Sequence, residues 1–216
     1  MSPGKRPSTG PVREKHMYDN LLQHPQENPL AQFDLWFAEA TEVGVPMPDA
    51  VGLATVDSQG RPTVRMVLYK GISGGGLLFF TNYTSRKARH IERNGHAAMV
   101  FHWIPIGRQV RIDGSVERLT TAQSDAYFAT RTRASRIVAW ASFQSQPYRE
   151  RAEILERYAE IEARFEGADV PRPEFWGGYR LVPERVEFWT EMLHRFHDRV
   201  EYRRRGNGWE WSRLQP

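Results

Sequence analysis

The amino-acid sequence predicts an α+β fold, a small and mostly antiparallel β-barrel with peripheral helices. Three observations lead there. Between residues 50 and 118 the apolar residues fall into short or alternating runs separated by turn sequences, the pattern of half-buried strands joined by hairpins. Strand-like runs return at 179–189, 199–204 and 209–214, so late strands complete a sheet begun early. Around these blocks, apolar residues recur every three to four positions, which places amphipathic helices on the outside of the sheet.

The elements follow in order. Residues 1–27 hold Pro3, Pro7, Pro11 and Pro25 among glycine, serine and charged residues, a composition that resists a packed core and predicts a mobile arm before a folded domain over 28–216. Asn28-Pro29 sets an N-cap before a proline at the first helical position, and Phe33, Trp36, Phe37 and Ala40 continue an amphipathic helix over 29–43. Strands are expected at 50–56, 62–70, 77–82, 96–104 and 108–119, with Asp57-Ser58-Gln59-Gly60 and Ser73-Gly74-Gly75-Gly76 as turns. A short helix over 85–94 ends at Gly95. Further helices are expected at 121–130 and 146–165, the second burying Ile154, Leu155, Tyr158, Ile161 and Phe165. Gly206-Asn207-Gly208 turns the chain between the last two strands.

Composition removes several function classes. The 216 residues, 40% hydrophobic, suit one domain with a core. No apolar run approaches the roughly 18 residues of a spanning helix, and the first nine residues carry charge and proline where a signal peptide is apolar, so a cytoplasmic address is expected, with no membrane partner. The absence of cysteine excludes disulfides, thiolate metal sites and thiol nucleophiles. The histidines show no HExxH spacing, and no metal is expected. A nucleophile elbow, a Walker loop and a dinucleotide fingerprint are all missing. The 30 Lys and Arg exceed the 26 Asp and Glu, but the cations are scattered among apolar alternations rather than forming a nucleic-acid stripe. Phosphorylated small molecules suit so many guanidinium groups.

Five clusters could carry chemistry, and each has a plainer structural reading. In Val64–Lys70, alternation puts Val64, Met66, Leu68 and Lys70 on one face and Arg65, Val67 and Tyr69 on the other; a lone cation there could simply snorkel to water. Thr81 to Lys87 closes a strand and opens a helix, gathering hydroxyls, amides, Arg86 and Lys87 as a phosphate seat or as an ordinary N-cap. Gln109, and Gln144 with Ser145, offer amides that read a heterocycle or cap turns. Tyr127, Arg131 and Ser135 stand four apart; the first two share a face if the helix continues, with Ser135 in the following loop, and the three make either a second phosphate seat or a packed tyrosine with an exposed arginine. Arg195, His197 and Arg199 point the same way if their segment is extended, and would then repel without an anion or acceptor between them.

Taken together, Arg65-Met66-Val67-Leu68-Tyr69-Lys70, Thr81-Asn82 with Ser85-Arg86-Lys87, Arg108-Gln109-Val110, Ser124-Asp125-Ala126-Tyr127-Phe128, Ala139-Trp140-Ala141-Ser142 with Gln144-Ser145, Trp176-Gly177-Gly178-Tyr179-Arg180 and Arg195-Phe196-His197-Asp198-Arg199 resemble, in order and interval, the pyridoxamine 5′-phosphate oxidases over residues 28–216. The resemblance implies an FMN-binding split barrel working as a homodimer with flavin at the subunit interface. It implies FMN contacts at Arg65, Met66, Val67, Leu68, Tyr69, Lys70, Phe80, Thr81, Arg86, Lys87, Gln109, Gln144, Ser145, Trp189 and Arg199. Substrate contacts would be Lys70, Tyr127, Arg131 and Ser135, with Arg195 and His197 as the catalytic pair over the pyridine ring. The implied reaction passes a hydride equivalent from C4′ of pyridoxine or pyridoxamine 5′-phosphate to flavin N5, after which dioxygen yields hydrogen peroxide; the amine also releases ammonia. The chain departs from the pattern at Thr190-Glu191-Met192, where Gln-Gly is usual, at Val138 and Tyr69, and at Lys15 within Val12-Arg13-Glu14-Lys15, which lines up with a substrate-covering lid. Rival readings are a phenazine-type sister oxidase, a non-catalytic flavin-binding protein and, resting on charge alone, a nucleic-acid module.

Overall fold

A computed structural model describes residues 25–216. In chain order the elements are α1 (Pro29–Glu42), β1 (Ala50–Val56), β2 (Pro62–Leu68), β3 (Ile72–Ser73), β4 (Gly76–Asn82), α2 (Arg86–Asn94), β5 (His96–Trp103), β6 (Arg108–Arg118), α3 (Thr121–Ala129), α4 (Arg133–Ala141), α5 (Arg151–Arg164), β7 (Trp176–Thr190), β8 (Asp198–Arg205) and β9 (Gly208–Arg213). The hydrogen-bonded order is β2-β1-β5-β6-β7-β4-β3, with β8 on β7 and β9 on β8, and it does not close among the described residues. Pairings β3–β4, β4–β7, β7–β8 and β8–β9 are antiparallel. No described helix is long and apolar enough to cross a membrane.

The chain forms two compact units. One contains the described residues through Gly52 with Ala98–Asp113 and Pro183–Pro216; the other contains Leu53–Ala97 and Gly114–Val182. In the first, the Asn28 side chain caps α1 by accepting from the Leu30 amide at 2.9 Å. The α1 stripe then buries Phe33 against Phe101 (ring centroids 4.9 Å) and Trp36 edge-on to Phe188 (5.1 Å). Buried Arg108 pairs with Glu39 and lies 4.5 Å over the Trp36 ring. Register sets Glu187 opposite Glu201 across β7 and β8, a like-charge pair that would be unfavourable alone. Arginines offset it: Arg111 and Arg199 hold Glu187, while Arg185 and Arg203 hold Glu201.

In the second unit, β4 pairs with the first half of β7 from Leu77↔Leu181 to Asn82↔Trp176. Buried Phe128, Ala139 and Trp176 pack with Phe80, Tyr127 and Phe175. The close packing requires glycine at Gly177 and Gly178, where a Cβ would lie 2.1 Å from the Tyr83 hydroxyl and 2.4 Å from Leu119 Cδ1. Helix α2 is capped by Ser85 and ends at Gly95 in the left-handed region (φ 74°), as its sequence predicts.

Strand 50–56 falls where expected, and the other expected strands that begin in the first half of the chain differ by one or two residues at their ends. Four expectations need correction. The helix expected at 146–165 begins at Arg151, and none of its residues is buried; Leu155 is 56% exposed. Its apolar residues are too few to hold it down alone, and Arg157 and Arg164 lie over the Phe143 and Trp140 rings at 4.1 and 5.1 Å. Residues 133–141, where Ser135 was expected in a loop, form α4, with Thr132 as N-cap. Helix α3 stops at Ala129, so Tyr127 and Arg131 do not share its face. Finally, the chain before His197 is not extended: Leu193–Arg195 is a 3-10 turn with His194 and Arg195 at φ 56° and 66°, so strand alternation does not align Arg195 with His197. The expected arm through residue 24, with Lys15, lies outside the described residues.

Candidate active site

In the second unit a cavity of about 540 Å³ is lined from β2 and its exit by Met66, Val67, Leu68 and Lys70, from β4 by Phe80 and Thr81, and from α2 by Lys87. The α3–α4 corner adds Tyr127, Thr130, Arg131, Thr132 and Ser135, and Gln144 and Trp176 complete the wall. A second cavity of about 470 Å³ shares Met66, Lys87 and Gln144 and adds Thr63, Val64, Arg65, Arg86 and Ser145. Strand β2 alternates as its sequence implies. Val64 and Met66 are 70% and 65% exposed, while Thr63, Arg65 and Val67 are half-buried.

The second cavity is a seat of cations. Arg65 donates to the Leu53 carbonyl (2.9 Å), to Thr55 Oγ1 (2.8 Å) and to Thr63 Oγ1. Burial, and then the Arg86 charge, lower its pKa. Lys87 is buried, yet among the described residues its ammonium has only neutral partners: Thr81 Oγ1 at 2.9 Å, Ser85 Oγ at 3.2 Å and Gln144 Oε1 at 2.6 Å. Burial, and then Arg65, bring its pKa down to about 8. Ser145 stands in the left-handed region (φ 72°) and its Oγ accepts from the Arg86 amide at 3.2 Å. Among the described residues no carboxylate pairs with Arg65, Arg86 or Lys87, and three neighbouring cations without one form a site that an anion completes.

The second seat lies where α3 gives way to α4. Tyr127 stacks on Phe80 with centroids 3.7 Å apart, and the Arg131 guanidinium lies 4.6 Å over Trp176. Among the described residues Arg131 Nη1 is buried without a hydrogen-bond partner, and burial lowers the pKa of the group. A buried charged donor left unmade is costly, so this atom too asks for an anion. At the α4 N-terminus Ser135 Oγ accepts from Thr132 Oγ1 at 2.9 Å, and the helix end favours negative charge. Lys70, Tyr127, Arg131 and Ser135 thus meet in one cavity, through a corner between two helices rather than along one.

In the first unit, Trp189 pairs with Arg199 across β7 and β8, and its ring lies 4.5 Å from that of His197. The Met192 amide donates to His197 Nδ1 at 3.2 Å, so the neutral ring carries its proton on Nε2. Arg199 is held by Glu187 at 3.0 Å and by the Gln215 carbonyl at 2.8 Å. Arg195 is exposed and Gln109 half-buried; neither is hydrogen-bonded to this group among the described residues. Sequence reasoning missed Thr55, Thr63 and His90 behind Arg65, Trp176 beneath Arg131 and Glu187 behind Arg199. Only Trp176, standing in the Trp-Gly-Gly-Tyr-Arg block, carried a usable signal.

Comparison with known proteins gives the site a context. Residues 37–168 match the family model described as pyridoxamine 5′-phosphate oxidase, and residues 176–216 match the pyridoxine 5′-phosphate oxidase C-terminal dimerisation region. The pyridoxine/pyridoxamine 5′-phosphate oxidase of Rubrobacter xylanophilus is 47% identical over 217 residues, covering 100% of both chains. That of Burkholderia thailandensis is 50% identical over 192 residues, 88% of this chain and 89% of its own. Among solved structures, PhzG from Burkholderia lata, in complex with tetrahydrophenazine-1-carboxylic acid, is similar with a TM-score of 0.86 and 33% identity, covering 91% of this chain and 96% of that one. A pyridoxamine 5′-phosphate oxidase-related FMN-binding protein from Nostoc punctiforme shares the fold with a TM-score of 0.69 at 17% identity, covering 89% and 98%.

Proposed function

The chain belongs to the pyridoxamine 5′-phosphate oxidase family, and from that premise we propose that it is an FMN-dependent oxidase converting pyridoxine and pyridoxamine 5′-phosphates to pyridoxal 5′-phosphate. The observation that carries this reading is the pair of cationic seats in one unit: Arg65, Arg86 and Lys87, with no carboxylate partner among the described residues, and Arg131, whose buried Nη1 has no hydrogen-bond partner among them. The reaction brings together two molecules that each bear a phosphate, and the donor chemistry of both seats suits phosphate oxygens.

In this reading Arg65, Arg86, Lys87 and Ser145 hold the FMN phosphate. Met66, Val67, Leu68, Tyr69, Lys70, Phe80, Thr81, Gln109, Gln144, Trp189 and Arg199 contact the rest of the cofactor, which supplies a hydride acceptor at N5 when bound. Lys70, Tyr127, Arg131 and Ser135 hold the substrate phosphate, so that C4′ is positioned by a remote, non-reacting group. Arg195 and His197 lie over the pyridine ring, orient it and assist proton loss. With its proton on Nε2, His197 serves as a hydrogen-bond donor to the substrate. Pyridoxine 5′-phosphate and O2 give pyridoxal 5′-phosphate and H2O2; the amine consumes a water in addition and releases NH3. The C-terminal match supports a homodimer, for which we propose FMN at the interface and a cytoplasmic location.

The test is anaerobic mixing of FMN-loaded protein with each phosphorylated vitamer while the oxidised flavin band is followed. Bleaching, then recovery with aldehyde product when air is admitted, is expected. A yellow protein that stays yellow with both vitamers refutes the substrate assignment. The likeness to PhzG supports a second reading, oxidation of a reduced tricycle. Tetrahydrophenazine-1-carboxylic acid has a carboxylate and no phosphate, so it leaves the combination of Lys70, Tyr127, Arg131 and Ser135 without a purpose; bleaching by such a tricycle alone would establish this alternative.

A further inference from the structure

His90 belongs to none of the motifs, and it stands four residues after Arg86 on the half-buried side of α2. Its Nδ1 lies 3.2 Å from Thr55 Oγ1 and 3.5 Å from Thr63 Oγ1, and these two hydroxyls are the ones that receive Arg65. Proton counting narrows the direction of the chain of bonds. A guanidinium only donates, so Arg65 gives one proton to Thr55 and one to Thr63, and each hydroxyl must place its own hydrogen elsewhere. For Thr63 the Thr55 carbonyl is within 3.4 Å. Thr55 is buried; the acceptors within reach of its hydroxyl among the described residues are His90 Nδ1 at 3.2 Å and Thr63 Oγ1 at 3.4 Å, and the shorter contact is the one to the imidazole. Burial, reinforced by Arg65 and Arg86 and opposed by Asp57 and the Thr55 backbone, holds the imidazole pKa below its ordinary value and so favours the neutral ring, whose Nδ1 is an acceptor when the proton sits on Nε2.

We propose that His90 is a positioning residue: through Thr55 and Thr63 it terminates the hydrogen-bond chain that orients the Arg65 guanidinium toward a bound phosphate monoester. The inference rests on the assignment of the Arg65, Arg86 and Lys87 seat to the FMN phosphate, and goes beyond it by naming what aims the arginine. Without the acceptor at position 90, the Thr55 hydrogen is left to the longer contact with Thr63 Oγ1, which Arg65 also occupies, and the two hydroxyl anchors of the guanidinium lose their shared terminus. Only ligands that bear the phosphate feel this.

The experiment compares FMN with riboflavin, which has the same ring system and no phosphate, by fluorescence titration of the apoprotein. His90→Ala is expected to weaken FMN by about three- to tenfold, the weight of one hydrogen bond, and to leave riboflavin unchanged. His90→Asn, whose Oδ1 can replace the Nδ1 acceptor, is expected to restore FMN binding. In an Arg65→Ala background His90→Ala should add nothing, because the two act as a unit. An unchanged FMN-to-riboflavin ratio, an equal loss for both ligands, or a His90→Asn that behaves like His90→Ala overturns the proposal. Should His90→Ala fail to fold, Thr63→Val must produce the same phosphate-specific loss or the proposal falls. A wild-type protein that binds FMN no better than riboflavin refutes the seat assignment itself, and does so before any substitution is made.

Discussion

Arg131→Met separates substrate affinity from fold stability. Methionine keeps much of the apolar stem while removing the guanidinium, whose Nη1 is buried without a partner. A hydrogen bond to a charged group contributes about 1.5–3 kcal/mol, so loss of the contact to the substrate phosphate should raise KM by about 10- to 150-fold. Because the phosphate is remote from C4′ and held alike in ground and transition states, kcat should change little. Stability turns on a separate balance. The unmade donor costs the apoprotein about 1–3 kcal/mol, and the cation over Trp176, 4.6 Å away, returns about 0.5–2 kcal/mol. The variant is therefore expected to lie between about 1 kcal/mol less stable and about 2.5 kcal/mol more stable than the parent, roughly 4 °C below to 10 °C above it in Tm for a chain of this size. The assay is steady-state oxidation of pyridoxine 5′-phosphate at saturating FMN, with thermal unfolding of the apoprotein alongside. A KM within about threefold of the parent, or a Tm lower by more than about 5 °C, would refute the reasoning, since the first means that Arg131 holds no phosphate and the second that it has structural partners.

Two further outcomes follow from the same geometry. Lys87 titrates near 8 against an ordinary 10.5, so between those values the folded chain binds fewer protons than the unfolded one. This group then makes the apoprotein more stable as pH rises across that window, while FMN, which favours the ammonium, should bind less tightly above about pH 8. FMN titrations and urea unfolding on either side of that pH check both signs, and Lys87→Met should abolish both trends; trends that persist in the variant would assign them to other groups. Arg195→Leu should cut turnover far more than FMN retention, read from flavin absorbance after gel filtration and from product formation; normal turnover would remove Arg195 from the catalytic pair.

The strands were legible because turn residues and alternation are local signals: Asp57-Ser58-Gln59-Gly60 and Gly206-Asn207-Gly208 fix hairpins by their own backbone preferences. The α3–α4 corner was legible only in part. Tyr127, Arg131 and Ser135 were picked out by their spacing of four, but α3 ends at Ala129 and α4 begins after Thr132, so the spacing named residues that do line one cavity for a wrong geometrical reason. Thr132 is an ordinary N-cap residue, and the signal lay in the sequence. The α5 stripe failed differently, since periodicity reports an amphipathic face but not whether anything covers it. Partners such as His90 and Glu187 lie far in sequence from the side chains they orient, and no periodicity links them.

The departure at Thr190-Glu191-Met192 can now be read by asking which atoms of the loop are used. The Glu191 amide donates to the Gly107 carbonyl at 2.7 Å, and the Met192 amide donates to His197 Nδ1 at 3.2 Å. Both bonds are made by main-chain groups, which any residue other than proline supplies. The orientation and tautomer of His197 therefore do not depend on having Gln-Gly at this point, and a changed loop sequence is compatible with an unchanged imidazole. What the change does require is room for the new side chain. A Cβ at Gly107 would stand 3.1 Å from Glu191 Cβ and 3.4 Å from its carboxylate, and Gly107 already needs the left-handed conformation (φ 62°). Glycine at 107 and glutamate at 191 are thus coupled by packing in the first unit, and any influence of this loop on substrate choice falls to its side chains rather than to displacement of His197.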